Sequence, residues 1–166
     1  QARKVFLSLG SNLGNKKKNL QIAKLYLSES KKIFIIRSSS YYSTPSWPNK
    51  NHPFFLNIAL EIWTIYNPVE LFHFIKNIER LLGRKKAPKN SPRLCDIDIL
   101  DYNQKIFDIK INNEKLIIPH PRMHERSFVL EPLSELNPKW IHPIKKKGIK
   151  ELIRNLDNKQ KILKIS

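Results

Sequence analysis

The order of hydrophobic patterns along the chain constrains its fold more than any other feature. Val5–Leu9 is a continuous apolar run that enters the turn-rich segment Gly10-Ser11-Asn12-Leu13-Gly14-Asn15. Leu20, Ala23, Leu25 and Leu27 then recur among polar residues, and Asn15 is placed to cap that helix. Lys32–Tyr42 reads as a second strand and Phe54–Thr64 as a third, longer one. After Asn67-Pro68, residues Val69, Leu71, Phe72, Ile75, Ile78, Leu81 and Leu82 follow a 3.6-residue period up to Gly83, a natural helix stop. Leu94–Leu100 is a short buried strand. The result is β-α-β-β-α-β. It predicts an α+β, ferredoxin-like α-β-α sandwich with a mainly antiparallel sheet and helices packed on it. Beyond it the sequence predicts a hairpin (Lys105–Ile109 with Leu116–Ile118) and a helical stretch from Arg122 to Leu133. A short helix over Gly148–Leu156 and an extended end at Lys161–Ile165 complete the reading.

With 166 residues and no repeats or low-complexity linker, the expectation is a single domain over 1–166. At 40% hydrophobic residues the chain can bury a core without staples, and its one cysteine, Cys95, excludes a disulfide framework within it. No apolar run approaches the ~18 residues of a membrane helix, and the N-terminal run is too short for a signal peptide, so the expected location is the cytoplasm. The net charge of +17 invites a polyanionic partner. The cations are mostly lysines spread along a Lys-, Ile- and Asn-rich chain, however, which favours a solvated basic surface over a dedicated nucleic-acid face.

The chemistry concentrates in Pro92-Arg93-Leu94-Cys95-Asp96-Ile97-Asp98-Ile99-Leu100. On a strand, Asp96 and Asp98 share one face, roughly 6–7 Å apart at Cα, while Cys95, Ile97 and Ile99 point into the core. Two adjacent carboxylates repel unless a cation lies between them, and Mg²⁺ favours carboxylates together with substrate phosphates. The plain alternative is a solvated pair on an open sheet face. Arg84 and Arg93 bracket a basic loop containing Lys85, Lys86 and Lys89, and guanidinium forks match phosphate oxygens. Glu79, one turn before Gly83-Arg84, is either a loop anchor, a ligand contact or a surface residue. Phe55 and Asn57 share a strand face, a ring and an amide suited to a flat heterocycle; Phe128 offers a second ring, and core packing is the alternative for both. His120 can donate to a phosphate. Arg126 is either a further phosphate cation or a partner of Glu125 or Glu131. The Gly10–Lys16 segment lacks Walker A spacing and reads as a turn that positions Asn12.

Taken in order over about residues 5–143, these blocks resemble the hydroxymethyl-dihydropterin pyrophosphokinases of folate biosynthesis. The resemblance rests on Leu9-Gly10-Ser11-Asn12-Leu13-Gly14, Tyr42-Ser43-Thr44-Pro45, Phe55-Leu56-Asn57 and Ile78-Glu79 through Gly83-Arg84. It continues in Pro92-Arg93 through Leu100 and in Ile118-Pro119-His120-Pro121 through Leu130. It implies a monomeric enzyme that passes the terminal two phosphates of ATP to a pterin hydroxymethyl group and releases AMP. Asp96 and Asp98 would then bind two Mg²⁺ ions, and Arg84, Lys86, Arg93, Lys115, His120 and Arg126 would contact ATP. Phe55 and Phe128 would sandwich the pterin, Asn57, Thr44 and the backbone near Pro45 would bond its edge, and Asn12 would line the site. Arg84, Arg93 and Glu79 would serve the reacting centre, and the Pro-rich and Arg-rich loops would act as mobile lids. The chain departs from the usual pattern at Lys86, Asn90, Ser91 and Leu94, where Arg, Trp, Gly or Ala, and Thr are common. The rivals are a ferredoxin-like nucleic-acid-binding module and a small phosphatase on the same fold. Against the first, the acidic strand repels a phosphate backbone and no [KR]-G-[FY] motif is present.

Overall fold

Continuous burial marks the central strands of the computed structural model, which describes residues 1–45, 51, 54–83, 94–157 and 161–165. Three strands, β1 (Arg3–Ser11), β4 (Phe55–Thr64) and β5 (Asp96–Tyr102), form one edge and the middle of a six-stranded sheet. With β2 (Ile33–Ser38), β3 (Tyr41–Thr44) and β8 (Leu163–Ile165), the order runs β5-β1-β4-β3-β8, and β2 also pairs with β4. Each of these pairings is antiparallel. The β1–β4 register runs unbroken from Arg3↔Thr64 to Ser11↔Leu56. A separate hairpin joins β6 (Phe107–Ile111) to β7 (Glu114–Ile118).

The expected strand Lys32–Tyr42 is two strands. Ser39 and Ser40 separate β2 from β3, and the two halves run along different parts of β4. The Ser39 hydroxyl accepts from the Ala59 amide at 2.8 Å, so a side-chain oxygen takes a backbone carbonyl's place in the ladder. A register shift between Ile35 and Arg37 adds a bulge just before the break.

Helix α1 (Lys16–Glu29) starts at Asn15, whose side chain accepts from Lys18 N at 3.1 Å, and buries Leu20, Ala23 and Leu27. Helix α2 (Pro68–Leu81) starts with a capping box between Asn67 and Glu70 and stops before Gly83, whose φ is +87°. Both lie on one face of the sheet, over Leu7, Leu9, Ile58, Leu60, Ile62, Ile97 and Ile99. On the other face, α3 (Ser127–Leu136) and α4 (Ile149–Arg154) cover Phe6, Ala59 and Leu100. The expected helix from Arg122 to Leu133 is divided. Met123–Glu125 is a 3₁₀ turn, and extended Arg126 (φ −120°, ψ 107°) separates it from α3. The α+β sandwich is thus the architecture expected from the hydrophobic order. Among the described residues no helix is long and apolar enough to cross a membrane.

Candidate active site

Pleating decides which side chains meet. On β1, Leu7 and Leu9 enter the core beneath α1 and α2, so Ser8 and Gly10 turn to the opposite face with Phe6. Gly10 pairs with Asp96 on one side and Asn57 on the other, and Asn57 pairs with Tyr42. Asp96, Gly10, Asn57 and Tyr42 therefore form a row across four strands. Asp98 lies in the next row, opposite Ser8, and Thr44 lies opposite Phe55. On β5 the alternation is the expected one: Ile97 and Ile99 are buried at 3% and 6% exposure, while Asp96 and Asp98 are partly open on the other face. Cys95 is buried in the apolar core.

Gly10 matters for its missing side chain. A Cβ there would lie 2.5 Å from Asn57 Oδ1, so the Asn57 amide occupies the space over β1 that a side chain would fill. An isolated glycine within a strand is the sequence signal for such a close approach, but the sequence does not say what approaches. Asn57 itself is buried, and its Nδ2 lacks a hydrogen-bond partner among the described residues. A buried unsatisfied amide costs roughly 1–3 kcal/mol, so an acceptor on a bound molecule would recover stability there. Phe55 is half-buried one pleat away, and Phe128 is half-buried on α3. Thr44 and Asn12 are buried; Pro45 is exposed.

Cations and a histidine border this face. The Arg126 guanidinium lies 5.6 Å from the centre of the Phe128 ring. Burial lowers its pKa, while Asp98 and, more weakly, Asp96 act in the opposite sense, which places Arg126 within electrostatic reach of both carboxylates. His120 is held neutral: burial, then the charges of Arg126 and Arg122, push its pKa down to about 4. Its Nδ1 accepts from the Arg122 amide at 3.2 Å, which leaves the proton on Nε2 as the outward donor. Glu125 lies 3.5 Å from Arg122 Nε.

Glu79 is not a surface residue. It is 2% exposed, its Oε2 accepts from the Ile97 amide at 2.8 Å, and its Oε1 lies 3.4 Å from Lys76 Nζ. Ile97 separates the two aspartates, so Glu79 fixes the backbone of an edge strand between them. Lys115 is an exposed residue of β7, opposite Lys110 in the hairpin. Arg84, Lys86 and Arg93 lie outside the described residues, as do most of the two loops expected to act as lids. Among the described residues no group of three His, Cys, Asp or Glu side chains could enclose a metal. A cation at Asp96 and Asp98 would therefore complete its shell largely with oxygens from elsewhere, which suits Mg²⁺ with phosphates and water.

Fold and face together define a class: an α+β protein with one main sheet, whose partly open face carries a carboxylate pair and a buried amide unsatisfied among the described residues, with a neutral histidine and a half-buried arginine nearby. Within that class, a sequence profile of the 7,8-dihydro-6-hydroxymethylpterin-pyrophosphokinase (HPPK) family matches residues 6–138, and the chain belongs to that family. The 2-amino-4-hydroxy-6-hydroxymethyldihydropteridine pyrophosphokinase of Bacillus subtilis is 40% identical over 131 residues, 79% of this chain and 76% of that protein. The protein of the same name from Aquifex aeolicus is 39% identical over 147 residues, 89% of this chain and 88% of its own length. The folic acid synthesis protein fol1 of Pneumocystis carinii is 41% identical over 142 residues, but the chain spans only 18% of it. The crystal structure of Plasmodium falciparum HPPK-DHPS with pteroate superposes with a TM-score of 0.75 at 17% identity, over 93% of this chain and 44% of that one, and so shares the fold.

Proposed function

We propose that the chain is a single-domain, magnesium-dependent pyrophosphokinase. It would transfer the terminal two phosphates of ATP to the hydroxymethyl group of 6-hydroxymethyl-7,8-dihydropterin. The pterin oxygen attacks the β-phosphorus, the bond from that phosphorus to the oxygen bridging the α-phosphate breaks, and AMP leaves. The attacking hydroxyl gives up its proton to solvent, and the diphosphorylated pterin is the second product. The observation that carries this reading is the row Asp96–Gly10–Asn57, which with Asp98 in the next row sets two carboxylates and an amide unsatisfied among the described residues on one face of the sheet.

Each residue then has a physical task. Asn57 and Thr44 bond the edge of the pterin, with the backbone near Pro45 and with Asn12 lining the same end. Phe55 and Phe128 stack on its two faces. Asp96 and Asp98 would hold two Mg²⁺ ions, which when bound would mask polyphosphate charge and stabilise the charge of the transition state. Glu79 keeps the β5 backbone straight between them, so both carboxylates project together. His120, neutral and donating from Nε2, bonds a nucleotide oxygen without adding charge, and Arg126 takes phosphate oxygens close to the carboxylates. Arg84, Lys86, Arg93 and Lys115 complete the cationic set on the strength of the family resemblance. Positioning dominates such a reaction, because a primary alcohol is a weak nucleophile and the protein has little covalent chemistry to perform. The chain works as a cytoplasmic monomer on this reading.

The test is direct. The chain is incubated with ATP and 6-hydroxymethyl-7,8-dihydropterin, with Mg²⁺ or with a chelator, and the products are separated chromatographically. AMP and diphosphorylated pterin in equal amounts, only with Mg²⁺, is the expected result. ADP or free phosphate as the nucleotide-derived product, or turnover that ignores the pterin, would refute the assignment.

A further inference from the structure

Glu135 is a carboxylate that the proposed reaction does not use. It lies on α3, two turns after Phe128, so the two side chains project from the same side of the helix. Its Oε1 accepts the Tyr42 hydroxyl at 2.6 Å, and its Oε2 accepts the Ser40 amide at 2.9 Å and the Ser40 hydroxyl at 3.2 Å. Lys164 Nζ, on β8, stands 3.7 Å from Oε1. Burial alone would raise the pKa of Glu135, but Tyr42, Ser40 and Lys164 together hold it below the usual carboxylate value, so it stays ionised. A groove of about 440 Å³, lined in part by Glu131, Lys150 and Lys164, brings solvent to its outer flank.

What these bonds join is the point. Tyr42 and Thr44 are the two buried positions of β3 and share its face toward α3. Tyr42 stands opposite Asn57, and Thr44 stands opposite Phe55. The helix supplies one proposed aromatic wall of the pterin site, Phe128; the strands supply the other wall and the hydrogen-bonding edge. Glu135 links the two through residues, Tyr42 and Ser40, that are not among those proposed to contact the pterin. It also takes up the hydroxyl of Tyr42, the cross-strand neighbour of Asn57, and Asn57 Nδ2 is left for a ligand.

We propose that Glu135 is a positioning residue for the pterin: by fixing Tyr42 and Ser40 to α3, it sets the gap between Phe128 and the Thr44–Phe55–Asn57 edge. This rests on the pyrophosphokinase reading above. A link that serves only to pack the helix would affect folding without singling out one substrate. A positioning link acts on the pterin and leaves ATP alone, because the carboxylate pair on β5 lies at the far end of the row from Tyr42.

The experiment compares the full chain with Glu135→Gln and Tyr42→Phe, measuring kcat and the KM of each substrate together with melting temperature. Glu135→Gln keeps one acceptor oxygen where the carboxylate has two and removes the charge facing Lys164, so Tyr42 and Ser40 can no longer both donate to an anion, and the pterin KM should rise about 10-fold. The ATP KM and kcat should stay within about 2-fold, and the double variant should be no worse than the more affected single one, because both act through one contact. An unchanged pterin KM, or equal rises in both KM values, would overturn the proposal, whatever happens to the melting temperature. If Glu135→Gln does not yield folded protein, Tyr42→Phe, which loses only a hydroxyl, decides the matter by the same KM split. Failure of the unmodified chain to form AMP would instead remove the pyrophosphokinase reading, and this inference with it.

Discussion

The two faces of the main sheet are built from the same strands and do opposite work. Beneath α1 and α2, Leu7, Leu9, Ile58, Leu60, Ile62, Ile97 and Ile99 are almost wholly removed from water. The residues between them, Ser8, Gly10, Asn57, Asp96 and Asp98, face the other way, where α3 and α4 cover Phe6, Ala59 and Leu100 and a polar group stands beyond. One step along a strand thus separates a residue that holds the protein together from one that, on the function proposed above, meets a ligand. Burial on the first face is complete enough to tolerate burial left incomplete on the second, including an amide without a partner. Neighbours in sequence should therefore behave unlike each other on mutation, and residues of like parity on facing strands should behave alike.

The largest effect that could break this division is at the carboxylates. Asp98→Ala should lower the rate of AMP formation about 1,000-fold, as expected when charge stabilisation of the transition state is lost, while the circular dichroism spectrum is retained. Near-normal turnover at ordinary magnesium would end the metal-binding role and with it the contrast between faces. Next in size, Leu60→Ala on the closed face should cost about 2–5 kcal/mol of stability by urea unfolding, with kcat preserved below the unfolding transition. A variant that kept its stability but lost activity would show that the closed face is not merely structural. Third, Gly10→Ala forces a methyl group against Asn57 Oδ1. The pterin KM should rise about 10-fold, with a smaller effect on ATP, because the amide must give way while the aspartates keep their register. An equal change for both substrates would mean that β1 itself had shifted.

Much of this division is legible in the sequence, because period-two alternation is local. Asp96 and Asp98 share a face with Ile97 and Ile99 opposed to them, and Phe55 shares one with Asn57, by pleating alone. The cap at Asn15 is equally local and has the bond its position predicts. What pattern does not carry is the meeting of distant segments. Nothing near Ser39 announces that its hydroxyl will take the Ala59 amide and split one expected strand into two. Glu79 could be read as surface, anchor or ligand contact until α2 is packed against the edge of β5. The bond between Glu135 and Tyr42 spans 93 positions, and Arg126, extended just before α3, comes under the influence of Asp98 on β5, well upstream in the chain. The ordered blocks that resemble one family go beyond spacing by implying which separated residues would share a site.

The smallest expected effect lies at the rim of the covered half and sharpens the comparison from that side. His142 is buried, and its Nδ1 accepts from the amides of Ile144 and Lys145, each at 3.1 Å. Its ring meets those of Trp140 and His124, and Lys145 and Asp101 are the nearest charges that bear on it. Burial first, then His124 and Lys145, lower its pKa from 6.5 to about 4. A proton on Nδ1 would displace both amides, so the folded state resists it while the unfolded chain accepts it. Between those two values the unfolded state binds more protons, so stability must fall as pH falls from about 6.5 toward 4 and level off below. His120 and His124 are shifted in the same direction and add to the slope. His142→Asn keeps an acceptor for the two amides and removes the titration. Melting curves between about pH 7 and pH 5 should show the unmodified chain losing a few degrees, at about 2–4 °C per kcal/mol for a chain of this size, and the variant losing less. Equal slopes would mean that the acid sensitivity originates elsewhere. Unchanged pterin and ATP KM values in the variant would confirm that this end of the sheet is built for stability, while the site a few residues further along the same strands is built for binding.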